Sequence, residues 1–370
     1  MEMKKKLVVI GANDFQNQLI LKAKEKGYET HVFAWQDGSI GERTADYFYP
    51  ISIVEKEQIL EVCRTIKPDG IISIASDLAA ITVNYVADAL GLTGNGMESA
   101  MIATNKYLMR KAFEESGDPS PRYYRSDELT DEILEQLKFP MIVKPIDRSG
   151  SRGITKVYDI EALNAAVKVA EEVSFDKRAV VEEFVEGQEY SVEYISYRGK
   201  HTFLALTQKE TTGAPHFIET GHMQPAPVDN ACLRKVQSVV EHALDTLKIA
   251  NGASHSEIKI SNTGEITIIE IGGRMGGDCI GSDLVRLSTG YDFVDMVIDV
   301  ACGKEPQMVK VCEPTSARID FIFGPDDMKK IEDMKVNSPE KIYRISEIEP
   351  FDGHVVVDSG SRFGYIITRG

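Results

Sequence analysis

Two glutamates, Glu257 and Glu270, stand in apolar segments on either side of a short turn. If the loop is the two-residue segment Thr263-Gly264, an antiparallel hairpin places Glu257 directly opposite Glu270. Opposed Cβ atoms in such a ladder lie ~4.5–5.5 Å apart, so the two charges repel and the pKa of one carboxyl is expected to rise. A divalent cation between the carboxylates would remove the repulsion, and oxygen ligands favour Mg²⁺ or Mn²⁺. The alternative is a pair without a metal, in which one carboxyl stays protonated or faces solvent.

A second candidate site is a loop rich in glycine and serine that follows a predicted buried strand. The strand ends at Lys144, and the loop over 147–153 contains Ser149, Gly150 and Ser151 between two arginines. Small residues let backbone N–H groups approach phosphate oxygens, and the cations neutralise them. The pattern is not that of the common phosphate-binding loop, because the lysine precedes the glycines. The alternative is a flexible surface hairpin.

A bend at Gly187 separates two further predicted strands in an acidic segment. Backbone groups in such a bend can read an adenine edge, and a neighbouring carboxylate can hold ribose hydroxyls. The alternative is a hairpin with a solvated acidic face.

Glycines surround Arg274, which follows the second glutamate of the hairpin. Such a turn lets a substrate approach the backbone, and the planar guanidinium is suited to a carboxylate or an acyl phosphate. The alternative is an arginine that caps a helix or forms a surface ion pair.

The elements that position these residues begin with strand–helix alternation over residues 1–90, which predicts βαβ units on a parallel sheet. The predicted strands include Leu7–Ile10 and Gly70–Ile74, and one predicted helix is Leu78–Leu90. The first turn starts at Gly11 but lacks the second and third glycines of the dinucleotide fingerprint, which argues against NAD. We therefore expect a doubly wound sheet with ligands at the carboxyl ends of its strands.

The predicted secondary structure of the rest of the chain changes twice. A helix pattern runs from Met97 to about Ser116, and β-rich runs then extend from Phe139 to Ile271 around a long helix pattern. The predicted organisation is an α/β domain over 1–95, an α+β domain over 96–303 and a C-terminal β-rich segment over 304–370.

Composition excludes several classes of partner. The chain has 370 residues with 42 basic and 58 acidic side chains, a net charge of −16. Such a surface repels phosphate backbones and anionic lipid, so neither nucleic acid nor a membrane is an expected partner. The five cysteines form no C-x-x-C pair, which is typical of reduced thiols in a cytoplasmic protein. Neither a signal peptide nor an apolar run of ~20 residues is present in the sequence, so no membrane span is expected.

In their order along the chain, these segments resemble those of the ATP-grasp superfamily. The segment Asn105–Arg110 resembles its first phosphate-binding lysine segment, and Val143–Pro145 resembles its second, ahead of the mobile glycine-rich loop. Glu182–Val185 resembles the adenine hinge, and Glu189 the ribose-binding acid. The resemblance implies that ATP is held by Lys106, Lys144, Ser149, Gly150, Ser151, Glu182, Glu183, Val185 and Glu189.

The resemblance extends to a metal and to the substrates. Glu257 and Glu270 match the two Mg²⁺-binding acids of the superfamily, and Arg274 matches an arginine on the acyl-phosphate side. Many relatives carry an asparagine two residues after the second acid, where this chain has Gly272, so another group or water would complete the metal ligands. The implied catalytic residues are Lys144, Glu270 and Arg274, and the implied substrate-binding residues are Glu219, His222, His255 and Arg274.

For fold, the resemblance implies a pre-ATP-grasp α/β domain followed by an ATP-grasp domain of two α+β subdomains, of which the central one, about 120–190, is mobile. For function, the chain is similar to carboxylate–amine ligases of the amino-acid ligase and carbamoyl-phosphate-synthase-like groups. This implies amide formation between a small carboxylate, such as an amino acid, and an amine through an acyl phosphate, with ADP released. Two alternatives stay open: carbamoyl or formyl phosphate chemistry on a small acid, and a nucleotide-binding regulatory protein. A homodimer is compatible with either.

Overall fold

The N-terminal part of the chain is a parallel four-stranded sheet in the computed structural model, which describes residues 4–214 and 217–370. Its elements in chain order are β1 (Lys6–Ile10), α1 (Asp14–Glu25), β2 (Glu29–Phe33), α2 (Ile40–Thr44), β3 (Tyr47–Tyr49), α3 (Lys56–Ile66), β4 (Gly70–Ile72) and α4 (Asp77–Leu90). The strand order is β3-β2-β1-β4. Leu7 and Val9 of β1 pack in the core that contains α1, whereas Val8 and Ile10 pack in the core that contains α3 and α4. Helices therefore cover both faces, which confirms the doubly wound sheet.

Two helices stand where the sequence predicts one from Met97 to about Ser116. They are α5 (Gly96–Thr104) and α6 (Lys106–Ser116). Asn105 separates them because its backbone is extended and its side chain accepts a hydrogen bond from the N–H of Leu108, as a helix N-cap does. Lys106 is therefore the first residue of α6, and its N–H donates to the carbonyl of Ile146 at 2.7 Å.

A small antiparallel sheet forms the central part of the chain. Its elements are β5 (Tyr123–Arg125), α7 (Asp131–Leu134), β6 (Met141–Pro145), β7 (Thr155–Val157), α8 (Ile160–Val173) and β8 (Ala179–Glu183), with strand order β5-β8-β6-β7. Met141 and Val143 of β6 pack against Leu163 and Ala166 of α8. The glycine-rich loop over 147–153 connects β6 to β7, so it leaves the sheet beside the end of β6 that carries Lys144.

An eight-stranded antiparallel sheet forms the remainder. Its elements are β9 (Gln188–Tyr197), β10 (Lys200–Thr211), β11 (Glu219–Gln224), α9 (Asn230–Thr246), β12 (Gly252–Ile260), β13 (Ile266–Gly272), α10 (Val285–Thr289), α11 (Phe293–Ala301), β14 (Ala317–Ile322), α12 (Pro325–Asn337), β15 (Ile342–Ile345) and β16 (Gly364–Arg369). The strand order is β13-β12-β9-β10-β11-β14-β16-β15. Strands β14 to β16 thus continue the sheet that carries the candidate glutamates. The core that contains Leu7 of β1 also contains Ile195 of β9 and Phe293 of α11, so one core joins the two sheets.

The hairpin between β12 and β13 turns differently from the expected two-residue loop. The Ser261 N–H donates to the carbonyl of Glu265, and the Gly264 N–H donates to the carbonyl of Ser261, both at 2.9 Å, so the loop contains the three residues 262–264. The two-residue turn was wrong because it favours positive φ at both central positions, which suits Gly264 (φ 79°) but not a threonine. A bulge after Glu257 compensates for the longer loop, and Glu257 still pairs with Glu270.

No helix within residues 4–214 and 217–370 has the length and apolar character that crossing a membrane requires.

Candidate active site

Two cavities adjoin each other between the N-terminal sheet, the glycine-rich loop and the eight-stranded sheet. The first, about 750 Å³, is lined by these predicted site residues: Ser149, Gly150, Glu219, His222, His255, Glu257 and Arg274. The second, about 370 Å³, is lined by Lys106, Ser149 and Glu270. Asp77, Ser149 and Arg152 line both, so the loop and the start of α4 form a common wall. The predicted residues that line neither of the two are Lys144, Ser151, Glu182, Glu183, Val185 and Glu189.

Lys106 joins the glycine-rich loop to the hairpin. Its ammonium donates to the carbonyl of Arg148 at 2.7 Å and to Oε1 of Glu270 at 2.8 Å. The side chain is only 4 % exposed, and its backbone is held in place as the first residue of α6. Lys106 therefore holds a positive charge at the boundary between loop and sheet, where an anionic group in the second cavity could meet it.

Lys144 lies in a buried network of charges below the loop. Its ammonium is 2.7 Å from Oε2 of Glu182, and Oε1 of Glu182 is 2.8 Å from Nε of Arg110. Burial raises the pKa of Glu182, but the two cations outweigh burial and lower it. For Lys144 burial prevails and lowers the pKa. The side chain of Glu182, which the sequence analysis placed in the adenine hinge, is thus paired with the two cations Lys144 and Arg110.

Lys209 was missed by the sequence analysis, although it is central to the site. It lies on β10 at 3 % side-chain exposure, and its ammonium contacts Glu257, Glu189 at 3.1 Å and Glu219 at 3.7 Å. It therefore links the predicted ribose, metal and substrate acids. Lys209 shares a face of β10 with the buried Ala205 and Thr207, but Leu204 and Leu206 on the other face are buried as well, so no alternation in the sequence selects it.

Each of the two glutamates has a lysine partner, Lys209 for Glu257 and Lys106 for Glu270. Burial raises the pKa of Glu257, but Lys209 and His255 lower it well below its usual range. The expectation that mutual repulsion raises a pKa in the metal-free protein was therefore wrong for Glu257.

The two glutamates nevertheless suit a divalent cation. Both lysines contact the Oε1 atom of their glutamate, both carboxylates are 25 % exposed, and they are paired across the ladder. Within the described residues no group of three or more His, Cys, Asp or Glu side chains is arranged for a metal. Two carboxylates are the number that Mg²⁺ usually takes from a protein when phosphates and water supply the other ligands.

His255 is a buried histidine beside the metal-type acids. Its Nδ1 hydrogen-bonds to the carboxylate of Glu193, and its Nε2 lies 3.6 Å from Oε1 of Glu257. Burial lowers the pKa of His255, but the two carboxylates outweigh burial and raise it to about 9. His255 is therefore a cation at neutral pH in this structure.

Arg274 forms a bidentate ion pair with Asp77, the first residue of α4. Arg274 Nε donates to Oδ1 of Asp77 at 2.8 Å, and Nη2 donates to Oδ2 at 3.0 Å. Burial raises the pKa of Asp77, but Arg274 outweighs burial and lowers it. Through this pair the N-terminal sheet contributes a side chain to the cavity.

The C-terminal segment also lines the first cavity, which the sequence did not indicate. Arg362 forms a bidentate pair with Asp278 at 2.7 and 3.1 Å, and its guanidinium stacks on Phe321 at 3.6 Å. Asp278 also lies 3.5 Å from Nε2 of His222. Burial raises the pKa of Asp278, but His222 and Arg362 lower it, so the carboxylate stays charged. This arrangement adds both cations and anions to the lining of the cavity that Arg274 also lines.

The fold agrees with the comparisons with known proteins. Residues 137–283 match the ATP-grasp domain family, which confirms the resemblance to that superfamily: the chain carries an ATP-grasp domain. Alanine–anticapsin ligase of Bacillus subtilis is 28 % identical over 279 residues, covering 69 % of this chain and 58 % of the relative. Dapdiamide A synthase of Enterobacter agglomerans is 29 % identical over 202 residues, covering 51 % and 47 %. The chain thus spans about half the length of these relatives.

Solved structures match over the full chain. The crystal structure of L-amino acid ligase from Bacillus licheniformis has a TM-score of 0.81 at 22 % identity, covering 100 % of this chain and 94 % of that one. Phosphoribosylglycinamide synthetase from Anaerococcus prevotii has a TM-score of 0.77 at 22 % identity, covering 99 % and 94 %. These likenesses confirm the fold.

Proposed function

We propose that this protein is an ATP-dependent, ADP-forming ligase that joins the carboxylate of an amino acid or similar small acid to an amine. The observation that carries the proposal is the common wall of the two cavities. Lys106 and Glu270 line the second cavity, Arg274, Glu257 and His255 line the first, and residues of the glycine-rich loop line both. A phosphate-type site thus adjoins a substrate-sized cavity, as transfer of a phosphoryl group to a substrate requires. The names of the sequence relatives support the same class of reaction.

The nucleotide is proposed to lie beneath the glycine-rich loop. Lys106, Lys144 and the backbone N–H groups of Ser149, Gly150 and Ser151 would contact its phosphates. The hinge residues Glu183 and Val185 would face adenine, and Glu189 the ribose. Glu257 and Glu270 would hold Mg²⁺, which neutralises phosphate charge when bound. Two solved structures of similar fold are described as complexes with ADP or MgADP, which supports this assignment.

The proposed reaction has two displacements. An oxygen of the substrate carboxylate attacks the γ-phosphorus, and the bond to the β-phosphate oxygen breaks to release ADP. The amine then attacks the acyl carbon, and the carbon–oxygen bond breaks to release phosphate with that oxygen. Lys106, Lys144 and Arg274 would stabilise the charge of the transferring group. Closure of the loop over 147–153 would keep water from the acyl phosphate.

The size and polarity of the first cavity favour ligation over carbamoyl or formyl phosphate chemistry. Its volume of about 750 Å³ exceeds what bicarbonate or formate needs and accommodates two amino-acid-sized ligands. Its lining also contains both carboxylates and arginines, which suits zwitterions. A cytoplasmic location and a homodimer remain predictions.

The experiment is a screen of phosphate release from Mg·ATP with the twenty common L-amino acids, supplied singly and in pairs. We expect release that depends on a particular acid and amine, accompanied by an amide product detected by mass spectrometry. Lys106→Met is the matched negative control, because it removes the charge at the loop. Release that is independent of any amino acid in the panel, or phosphate without an amide, would contradict the proposal.

A further inference from the structure

The pair between Asp77 and Arg274 carries an inference that rests on the proposed function and deepens it. We infer that Asp77 is a positioning residue, which holds the guanidinium of Arg274 by one edge so that its other edge faces the substrate. The N-terminal part of the chain, which also lines the first cavity with Asp14, Phe15 and Ala75, would then contribute a positioning carboxylate to the substrate site.

The donors of Arg274 are divided between protein and cavity. Asp77 accepts from Nε and Nη2, which form one edge of the guanidinium. Nη1 makes only a long contact of 3.4 Å to the carbonyl of Met275. The edge formed by Nη1 and Nη2 therefore keeps donors for an anion, and a guanidinium edge matches a carboxylate or phosphate in a bidentate manner. Asp77 orients this fork without occupying it.

The segment before Asp77 is held rigidly enough to define its position. Ala75 has a φ of 54°, a left-handed conformation that costs energy for a residue with a side chain. Its N–H donates to the carbonyl of Met275 at 3.2 Å, next to Arg274 itself. Ile74 is bonded on both its N–H and its carbonyl by the side chain of Gln16, and Ser76 caps α4. Strain that is supported by so many contacts is typical of a functional position.

Gly272 provides the space for the pair. A Cβ atom at this position would lie 2.9 Å from Oδ1 of Asp77 and 3.2 Å from Cζ of Arg274. At the neighbouring Gly273, a Cβ would meet only Ile249, at an ordinary 3.7 Å. Neither glycine has the left-handed φ that would make any side chain strained. A side chain at position 272 would thus crowd the pair between Asp77 and Arg274, whereas a side chain at position 273 would not.

The kinetic test uses Asp77→Asn and Asp77→Ala with the L-amino acid pair that gives the fastest phosphate release in the parent chain. We expect the KM of the acid substrate to rise on the order of tenfold or more, while the KM of Mg·ATP stays within about twofold, because only the anion fork is misplaced. An unchanged acid KM in Asp77→Ala, or equal losses for both substrates, would overturn the inference.

The coupling test does not depend on turnover. Gly272→Ala should lower the midpoint of thermal unfolding more than Gly273→Ala, and it should lower it less in an Asp77→Ala background than in the parent. An equal loss in both backgrounds would show that the pair is not what position 272 accommodates. If the parent chain releases no phosphate with any amino acid, the proposed ligase activity fails, whereas this unfolding cycle still decides whether Asp77 and Gly272 interact.

Discussion

At the scale of single residues, the charges of the site are arranged in ion pairs that exist before any nucleotide is bound. Lys106 holds Glu270, Lys209 holds Glu257, and Asp77 holds Arg274. Each ion pair fixes the orientation of both of its side chains. A substrate or cation would therefore meet groups that are already oriented.

Glu257→Gln is expected to destabilise the metal-free protein, because the neutral amide replaces a charged partner of the buried Lys209. The expected loss is about 1–3 kcal/mol in the free energy of unfolding. Denaturant unfolding in the presence of chelator measures it, with Glu265→Gln in the exposed turn as the matched control. A Glu257→Gln variant as stable as the parent would mean that repulsion by Glu270, and not attraction by Lys209, governs this carboxylate.

His255 gives the protein a defined dependence on pH. Its folded-state pKa of about 9 lies above the ordinary value of 6.5, so its stabilising contribution is complete below pH 6.5 and disappears as the pH rises through 9. We expect the free energy of unfolding to fall by about 1–3 kcal/mol over this interval, and His255→Gln to remove the fall.

Unfolding curves at several pH values test this prediction. The control is His242→Gln, because the side chain of His242 is 60 % exposed and solvent screens its charge, although its partner Asp118 is buried. Parallel pH profiles for the parent and His255→Gln would contradict a protonated His255.

The residue types of the site could be predicted from the sequence, but most of their partners could not. Lys106, Glu257 and Arg274 belong to segments with readable local patterns. Lys209 and Asp77 become site residues only when strands far apart in sequence come together. The neighbours of Lys209 in the chain carry no phosphate or metal pattern, so local spacing gave no reason to select it, whereas the segment that contains Asp77 already resembled one of the ligase group.

At the scale of elements, the register of the hairpin shows how two departures from an ideal pattern can cancel. The loop is one residue longer than expected, and the bulge after Glu257 adds one unpaired residue to β13. The two changes shift the pairing of the strands in opposite directions. The pairing of Glu257 with Glu270 could therefore be predicted although the turn was wrong. Bulges are not visible in the sequence, because they depend on packing of the neighbouring strand β9 as well as on the turn.

The glycine-rich loop is the element whose behaviour is most open to a direct test. Arg152 is exposed at its tip, and Arg198 is exposed in the turn between β9 and β10. If the loop closes over a nucleotide, Mg·ATP should slow tryptic cleavage after Arg152 by about tenfold or more and leave cleavage after Arg198 unchanged. Equal protection of both sites, or of neither, would contradict closure of this loop.

At the scale of the whole molecule, the site exists because three parts of the chain meet. The N-terminal sheet contributes Asp77, the central sheet contributes Lys144 and the loop, and the eight-stranded sheet contributes the glutamates. The doubly wound sheet and the later α+β character could be predicted from periodicity. The joining of β14 to β16 to the catalytic sheet, and the wall formed by Arg362, could not, because strand order between distant segments leaves no local pattern.

The central claim is that a carboxylate oxygen passes to phosphate through an acyl phosphate. The most direct test supplies the acid substrate with ¹⁸O in both carboxyl oxygens, together with Mg·ATP and the amine, and weighs the released phosphate by mass spectrometry. The account predicts one ¹⁸O atom in each phosphate, one retained in the amide, and ADP as the nucleotide product. Unlabelled phosphate, or label that appears in AMP, would contradict it.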